Sequence, residues 1–458
     1  AGNGDERLAM TLAGQVAQEA SQVTTNSPSV EEIQDIVEKV LIDADLSKAA
    51  KAYILYRAER TRAREMNTRL MKTYEEITHS DSRESNLKRD NANIDGDTAM
   101  GSMLKYGSEG AKIYNEMYML KPEHAKAHRD GDIHIHDFEF YTLTTTCCQI
   151  DIQKLFKDGF STGHGYLREP NDIASYSALA CIAIQSNQND QHGGQSIPNF
   201  DYGLSDGVRK TFARKYLDSL IQILSFSAGS KQEVKDLVAE TANDIGERLH
   251  LTPEISNTNG YLAEEATLLS RTFDAGLLQK AQAFAFEQAL TETDRATYQA
   301  MEALIHNLNT MHSRAGAQVP FSSINYGTDT SPEGRLVIKN VMLATEAGLG
   351  YGETPIFPIQ IFKIKEGINY HPTDPNYDLF KLACRVSAKR LFPNFSFIDA
   401  PFNFQYYKEG QPETEIAYMG CRTRVIGNVN DPSREICNGR GNLSFTSINL
   451  PRIAIKAK

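Results

Sequence analysis

Residues whose type and spacing could do chemistry gather in two stretches. The first is GDIHIHDFEFYTLTTTCCQID at 131–151. In a strand, alternate side chains share a face, so His134 and His136 are expected to point the same way. Two imidazoles on one strand face can begin a metal site, but such a site needs three or four ligands. The remaining histidines are scattered through other contexts, so no metal is expected on this pair. His134 and His136 are read instead as a buried hydrogen-bonded pair, structural or lining a substrate pocket. Cys147 and Cys148 follow in the same stretch, and in a strand their thiols leave opposite faces. Only one of them can look into a given cavity. The chain contains no C-x-x-C, the commonest zinc and thioredoxin-like pattern. A buried cysteine without such a partner is otherwise a small hydrophobe.

The second stretch is AYMGCRTRVIGNVNDPSREICNGRGNLSFTSINLP at 417–451. Cys421 lies between Gly420 and two arginines, Arg422 and Arg424. Positive charge favours thiolate, so a thiol in a glycine-flanked loop near cations has the surroundings of a functional cysteine. The plain alternative is a loop cysteine with no role. Cys437 could pair with Cys421 as a redox couple, although sequence does not set the geometry a disulfide needs. The alternation in SFTSINL, after GRGN at 439–442, predicts a strand entering the core. GLGYG at 348–352 and HGGQS at 192–196 match neither a Walker phosphate loop nor the GxGxxG fingerprint, and are read as turns or close backbone contacts.

These stretches must be held by regular elements, and the pattern of apolar residues says which. After Ser29, the residues Ile33, Ile36, Val37, Val40 and Leu41 trace one helical face, and Glu32 completes a capping box with Ser29. A second helix is expected from Ser47 to Thr78, carrying Arg57, Arg60, Arg62, Arg64 and Arg69. That basic run could meet phosphates, or could simply be a solvated face. Residues 79–101 are polar and read as a linker or arm. Further helices are expected at 206–227, 231–248, 275–312 and 374–390, and strands at 131–153, 317–326, 355–365, 393–404 and 443–456. Alternation of this kind predicts an α/β architecture, barrel or open sheet.

Composition narrows the function. The 458 residues suit about three domains, although large α/β barrels stay single. With 40% hydrophobic and 23% charged residues the chain is of globular type. A net charge of −11 argues against nucleic acid or an anionic membrane surface as partner, since both want basic stripes. No run of about 18 apolar residues occurs, so no membrane span is expected. Six cysteines are too few for a disulfide scaffold, which predicts a reducing, cytoplasmic setting.

Taken together, long strings resemble the anaerobic (class III) ribonucleoside-triphosphate reductases, which are glycyl-radical enzymes. They are AHRDGDIHIHDFEFYTLTTTCCQIDIQKLFKDGFSTGHGYLREP at 127–170, NQNDQHGGQSIPNFDYG at 187–203 and GAQVPFSSINYGTDTS at 316–331. GLGYGETPIFPIQIFKIKEGINY at 348–370, RLFPNFSFIDAPFN at 390–403, MGCRTR at 419–424 and GRGNLSFTSINLPRIA at 439–454 follow in the same order. Residues 28–64 are similar to the later helices of an ATP-cone. The resemblance implies a partial helical ATP-cone at 1–64, a linker at 65–105, and at 106–458 the N-terminal portion of a ten-stranded α/β barrel. A finger loop around 417–442 would carry the thiyl-radical cysteine, Cys421, which takes a hydrogen atom from C3′ of the ribose. Cys148 is the better match to the second cysteine, supplying hydrogen at C2′, and Asn442 matches the asparagine that positions formate and a ribose hydroxyl. His134 and His136 become pocket-lining candidates.

The resemblance also implies ribonucleoside triphosphates as substrates, formate as reductant, and ATP, dATP and deoxynucleotides as effectors. It implies a homodimer and a radical-SAM iron–sulfur activating enzyme as partner. The family places its glycyl radical in an RxxGY-like stretch near a much later C-terminus, beside a four-cysteine zinc site. Gly165, Gly260 and Gly350 precede tyrosines here but in other contexts. The opening basic part of the cone is also missing. The expectation is therefore of a fragment, inactive alone, of an enzyme of deoxynucleotide synthesis. The alternatives are another glycyl-radical enzyme of formate-lyase or dehydratase type, or a non-catalytic nucleotide-sensing fragment.

Overall fold

The computed structural model describes the chain except for residues 1–4, 24–27, 80–97, 142–144, 228–229, 315, 317, 421–422, 426–427, 429, 435 and 458. Residues divide into two units, one of 1–86 with 102–132, the other of 87–101 with 133–458. The first unit is helical: α1 (Glu6–Val23), α2 (Val30–Asp43), α3 (Ser47–Thr78), most of α4 (Ala99–Tyr114) and α5 (Pro122–Arg129). The capping box forms as expected, with Glu32 N–H donating to Ser29 Oγ and Ser29 N–H to the Glu32 carboxylate. Helix α3 runs unbroken past residue 64. Its basic run is engaged internally: Arg57 with Asp35 and Glu38, Arg60 with the Tyr56 hydroxyl, Arg62 with the Glu116 carbonyl and Arg69 with the Glu116 carboxylate.

The second unit alternates strand and helix. It begins with β1 (Ile133–Ile135), β2 (Cys147–Gln149), α6 (Ile152–Asp158), β3 (Phe160–Ser161), β4 (Tyr166–Leu167), α7 (Ile173–Asp190) and β5 (Gln195–Ile197). Four helices follow: α8 (Phe200–Ser225), α9 (Lys231–Leu249), α10 (Tyr261–Leu269) and α11 (Ala275–Thr310). Then come β6 (Ser322–Tyr326), α12 (Pro332–Ala347), β7 (Ile359–Ile364), α13 (Tyr377–Arg390), β8 (Asn394–Phe397) and α14 (Pro401–Phe404). The last elements are β9 (Ala417–Met419), β10 (Thr423–Val425), β11 (Gly441–Asn442), β12 (Thr446–Ile448) and α15 (Leu450–Lys456). Helix starts follow side-chain capping: Asp151, Asp172, Ser230, Asp274 and Ser331 each accept from a backbone N–H one turn on.

The largest sheet among the described residues has six strands in the order β11-β2-β5-β6-β7-β8, parallel throughout except for β11 at one edge. Strands β6, β7 and β8 are joined by α12 and α13, so a helical layer covers one face, as parallel sheets require. That face sends Ile197, Ile324, Tyr326, Phe362 and Ile364 into a core shared with α7, α8, α11, α12 and α13. Helices α8–α11 build a second apolar cluster around Phe212, Leu220 and Ala285.

Three expected strands are broken, one of them 393–404, where β8 stops at Phe397 and α14 takes over at Pro401. The span 131–153 is not continuous: β1 ends at a turn in which Asp137 adopts φ +48°, a short 3-10 turn follows, and β2 starts only at Cys147. The segment 443–456 does not enter the core. Its strand β12 pairs with β1, is exposed along its length, and gives way to α15 at Leu450.

Candidate active site

Strand β2 carries the two cysteines, and its neighbours fix which way each points. Cys148 is the Cα partner of Gln195 on β5 and of Gly441 on β11, whereas Cys147 is the partner of Asn442. Directly paired residues share a face, so Asn442 stands on the side of Cys147. Gln149 shares that side too, paired with Ser196.

The face bearing Cys148 looks toward the helices. Its Sγ accepts from Asn187 Nδ2 on α7 at 2.9 Å, and the same amide donates to Gln195 Oε1 at 2.8 Å. Cys148 lines a cleft of about 520 Å³ with Asp151, Lys154, Asn187 and Arg440. Burial pushes its thiol up to about 11, against a small pull from the Asn187 hydrogen bond. The resemblance pairs Cys148 with Asn442; the register instead turns Cys147 to the side of Asn442.

Cys147 packs with Met419 and Val425, one from each arm of the β9–β10 hairpin. Gly194 N–H donates to its Sγ at 3.3 Å. Gly193 holds φ +79°, and a Cβ there would fall 1.8 Å from the Thr146 carbonyl oxygen and 3.1 Å from Cys147 Sγ, so only glycine fits. The hairpin pairs Thr423 with Met419 and Val425 with Ala417. It lies against the sheet face and is bonded to it: Tyr418 N–H donates to Asn325 Oδ1 at 2.9 Å, and Gly420 N–H to Ser323 Oγ at 3.1 Å. Between its arms the chain passes through Cys421 and Arg422, both outside the described residues. Arg424 is described; it donates to Asn403 and lies over the Phe402 ring.

Asn442 is half-buried, and its carbonyl accepts from Thr146 N–H at 2.8 Å. The segment that carries it continues into β12, against which β1 pairs. His134 and His136 do share a face, their rings 4.7 Å apart. They are not buried as expected: His134 is exposed and His136 half-buried, with Nε2 2.7 Å from Ser447 Oγ and its ring against Phe445. Among the described residues no group of three His, Cys, Asp or Glu is gathered as a metal ion would need.

Two features went unread in the sequence. His192, ahead of Gly193, is buried, stacked on Phe140 at 4.6 Å, and 3.8 Å from Asp137 Oδ2. Its burial favours the neutral ring, with Asp137 opposing and Arg314 adding. The string HGG was its only signal. Leading into the hairpin, Glu415 accepts from Lys363 Nζ at 2.8 Å and from Thr328 Oγ1 at 2.8 Å, with both members of the ion pair buried. Nothing in the sequence joins positions 363 and 415.

A model of the family described as anaerobic ribonucleoside-triphosphate reductase matches residues 90–458, and a model of the ATP cone domain matches 1–62. The chain belongs to the anaerobic ribonucleoside-triphosphate reductase family. The reductase of Salmonella typhimurium is 27% identical over 443 residues, 96% of this chain and 53% of the relative. That of Escherichia coli K12 is 27% identical over 436 residues, covering 94% and 52%. The reductase of Enterobacteria phage T4 is 29% identical over 333 residues, covering 72% and 44%. The chain thus spans about half the length of the curated relatives it matches. Among solved structures, the anaerobic ribonucleotide reductase from Thermotoga maritima in complex with dATP and CTP aligns with a TM-score of 0.47 at 12% identity, over 87% of this chain and 57% of that one.

Proposed function

We propose that this chain is the N-terminal portion of a reductase that converts ribonucleoside triphosphates to deoxyribonucleoside triphosphates without oxygen. The observation that carries the reading is one face of one sheet: Cys147 on β2, Asn442 on β11 and the β9–β10 hairpin all meet there. Cys421, between β9 and β10 in sequence, is assigned hydrogen abstraction from C3′. Of the two adjacent thiols, Cys147 is favoured over Cys148 for hydrogen delivery at C2′, because Cys147 packs on the hairpin. Asn442 has an amide that donates to a carboxylate and accepts from a hydroxyl, which suits formate beside the ribose. His134 and His136 are assigned to the pocket wall.

The residues present fit radical chemistry: Cys147, Met419 and Val425 form a buried apolar cluster, which keeps water from the Cys147 thiol. A glycyl radical would supply the unpaired electron to this site, and Cys421 would be the residue that carries it to the ribose. The overall balance is ribonucleotide plus formate plus a proton giving deoxyribonucleotide, carbon dioxide and water. The oxidised carbon is that of formate; the hydroxyl lost from C2′ leaves as water.

Several finer assignments belong to the same proposal. Residues 1–64 are a partial ATP-cone taking ATP or dATP, 65–105 a linker, and 106–458 the start of the catalytic domain. The six-stranded sheet is taken as part of a ten-stranded barrel. The glycyl radical and a structural zinc belong to the part of the reductase beyond the matched half of its relatives. The partners are a second copy and a radical-SAM activating enzyme, in an anoxic cytoplasm.

The test uses the reductase at the full length of its relatives, radical-activated and given isotopically labelled formate with a ribonucleoside triphosphate. Labelled carbon dioxide is expected one for one with deoxynucleotide, and Asn442→Ala suppresses both. Sustained turnover on a thioredoxin system with no labelled carbon dioxide would remove formate from the reading. No deoxynucleotide under either condition would remove the reading itself.

A further inference from the structure

The β9–β10 hairpin does not extend the six-stranded sheet at an edge; β9 lies on its face. A sheet face offers no free backbone groups, because each strand's N–H and C=O are already spent on its neighbours. Side chains must substitute for them. Asn325, in the middle of β6 and fully buried, does so as a backbone mimic: Oδ1 accepts from Tyr418 N–H at 2.9 Å and Nδ2 donates to the Tyr418 carbonyl at 3.0 Å. Both groups of one β9 residue are thereby satisfied by a single amide. Ser196 on β5 donates to the same carbonyl at 2.6 Å and accepts from Asn325 Nδ2 at 3.0 Å, which locks the amide's orientation. One strand step on, Ser323 Oγ accepts from Gly420 N–H at 3.1 Å. Close approach is permitted by Gly194, where a Cβ would sit 3.2 Å from Gly420 Cα.

We propose that Asn325, assisted by Ser323, is the positioning residue that sets the distance between the β9 arm, as far as Gly420, and the sheet face that bears Cys147. The clamp ends one residue before Cys421. A hydrogen transfer needs its atoms within roughly 3–3.5 Å, and a displacement of about 1 Å costs on the order of a hundredfold in rate. An aliphatic side chain at 325 would leave the Tyr418 N–H unpaired on a buried face and its carbonyl held by Ser196 alone, and the arm would lift to find water. This inference rests on the reading of Cys421 as the abstracting thiol only for its catalytic consequence. The positioning itself is testable without it.

In the 458-residue chain, hydrogen exchange at the Tyr418 and Gly420 amides and iodoacetamide labelling of Cys421 are compared across variants by peptide mapping. Asn325→Leu is expected to raise both rates by about tenfold or more, while Cys181, buried on α7, stays as protected as in the parent chain. Ser323→Ala, a smaller change, is expected to raise Gly420 exchange selectively. If Asn325→Leu proves unfolded, with Cys181 labelled at the free-thiol rate, Ser323→Ala and Asn325→Asp carry the test. The aspartate keeps the acceptor and loses the amide donor, so the Tyr418 amide stays protected while Cys421 labelling rises. Unchanged exchange and labelling in the folded variants overturn the proposal. In the activated full-length reductase, Asn325→Asp is expected to lower kcat per glycyl radical by about tenfold or more with KM for the triphosphate unchanged, and to raise the isotope effect on a 3′-deuterated substrate. A merely structural residue would leave that isotope effect alone. If the labelling results hold while the parent reductase makes no deoxynucleotide, the positioning stands and the functional reading fails.

Discussion

Successive side chains of a strand leave opposite faces, and on β2 this sends two bonded neighbours into different surroundings. Cys148 reaches Asn187 and the cleft on the helical side, while Cys147 reaches the hairpin. Burial holds the Cys148 thiol near a pKa of about 11, so at pH about 8 roughly one molecule in a thousand carries the thiolate there. Its alkylation in the folded chain is expected to be correspondingly slow, and to quicken about tenfold per pH unit toward that value. Mass mapping after timed iodoacetamide treatment checks this, and labelling at the rate of a free thiol near pH 8 would refute it. In the full-length reductase, Cys147→Ser is expected to abolish deoxynucleotide formation while Cys148→Ser retains it; the reverse pattern would return the role to Cys148. The sequence does disclose that the two thiols part company, since that needs only the strand's alternation. Which one meets Asn442 depends on the pairing of β2 with β11, across nearly three hundred positions, and no local pattern encodes that.

At the scale of elements, local chemistry was legible wherever it decided the outcome. The α2 capping box, α3 from Ser47 to Thr78, and the strands at 322–326 and 359–364 follow from residues close together in sequence. Helices α7 and α12 escaped because both are covered on several sides. Buried residues such as Ile173, Ala180 and Ile184, or Val337, Ile338 and Val341, do not leave the single apolar stripe that marks a surface helix. The buried pair Lys363–Glu415 was equally hidden, because its members become neighbours only when β7 and the lead into β9 are assembled. Burial pushes the Glu415 carboxyl upward against the pull of Lys363. Removing the cation alone leaves a fully buried carboxylate beside Thr328. Lys363→Met is therefore expected to destabilise the chain by about 3–5 kcal/mol, read as a lowered urea midpoint. A Lys363→Met/Glu415→Leu double variant should recover most of that loss, since no unpaired charge remains. Equal losses in both variants would show that packing, and not charge, sets the cost.

At the scale of the molecule, the joints between layers are polar and buried, which makes stability depend on pH in a predictable direction. Where β6 ends, Asp201 Oδ2 on α8 accepts three backbone N–H groups, from Gly327 at 2.8 Å and from Thr328 and Asp329 at 3.1 Å. This ties the sheet to the helical layer, and it brings the Asp329 side chain into a buried site near that carboxylate. Burial first, and then the Asp201 charge, raise Asp329 to a pKa of about 7. An unfolded aspartate titrates near 3.9, so folding favours the protonated form. A carboxyl raised in the folded state adds stability that is complete below about pH 4, declines as pH rises, and is gone above about pH 7. Burial also raises Glu265, in the second apolar cluster, which acts with the same sign. Asp172 and Glu292 are lowered and act with the opposite sign, so the total pH profile does not isolate any one group. The difference between the parent chain and Asp329→Asn does. Urea unfolding from pH about 4 to pH about 8 is expected to show the Asn variant gaining on the parent as pH rises, because its amide cannot ionise beside Asp201. A constant difference across that range would mean that Asp329 ionises in the folded chain much as it does in the unfolded one.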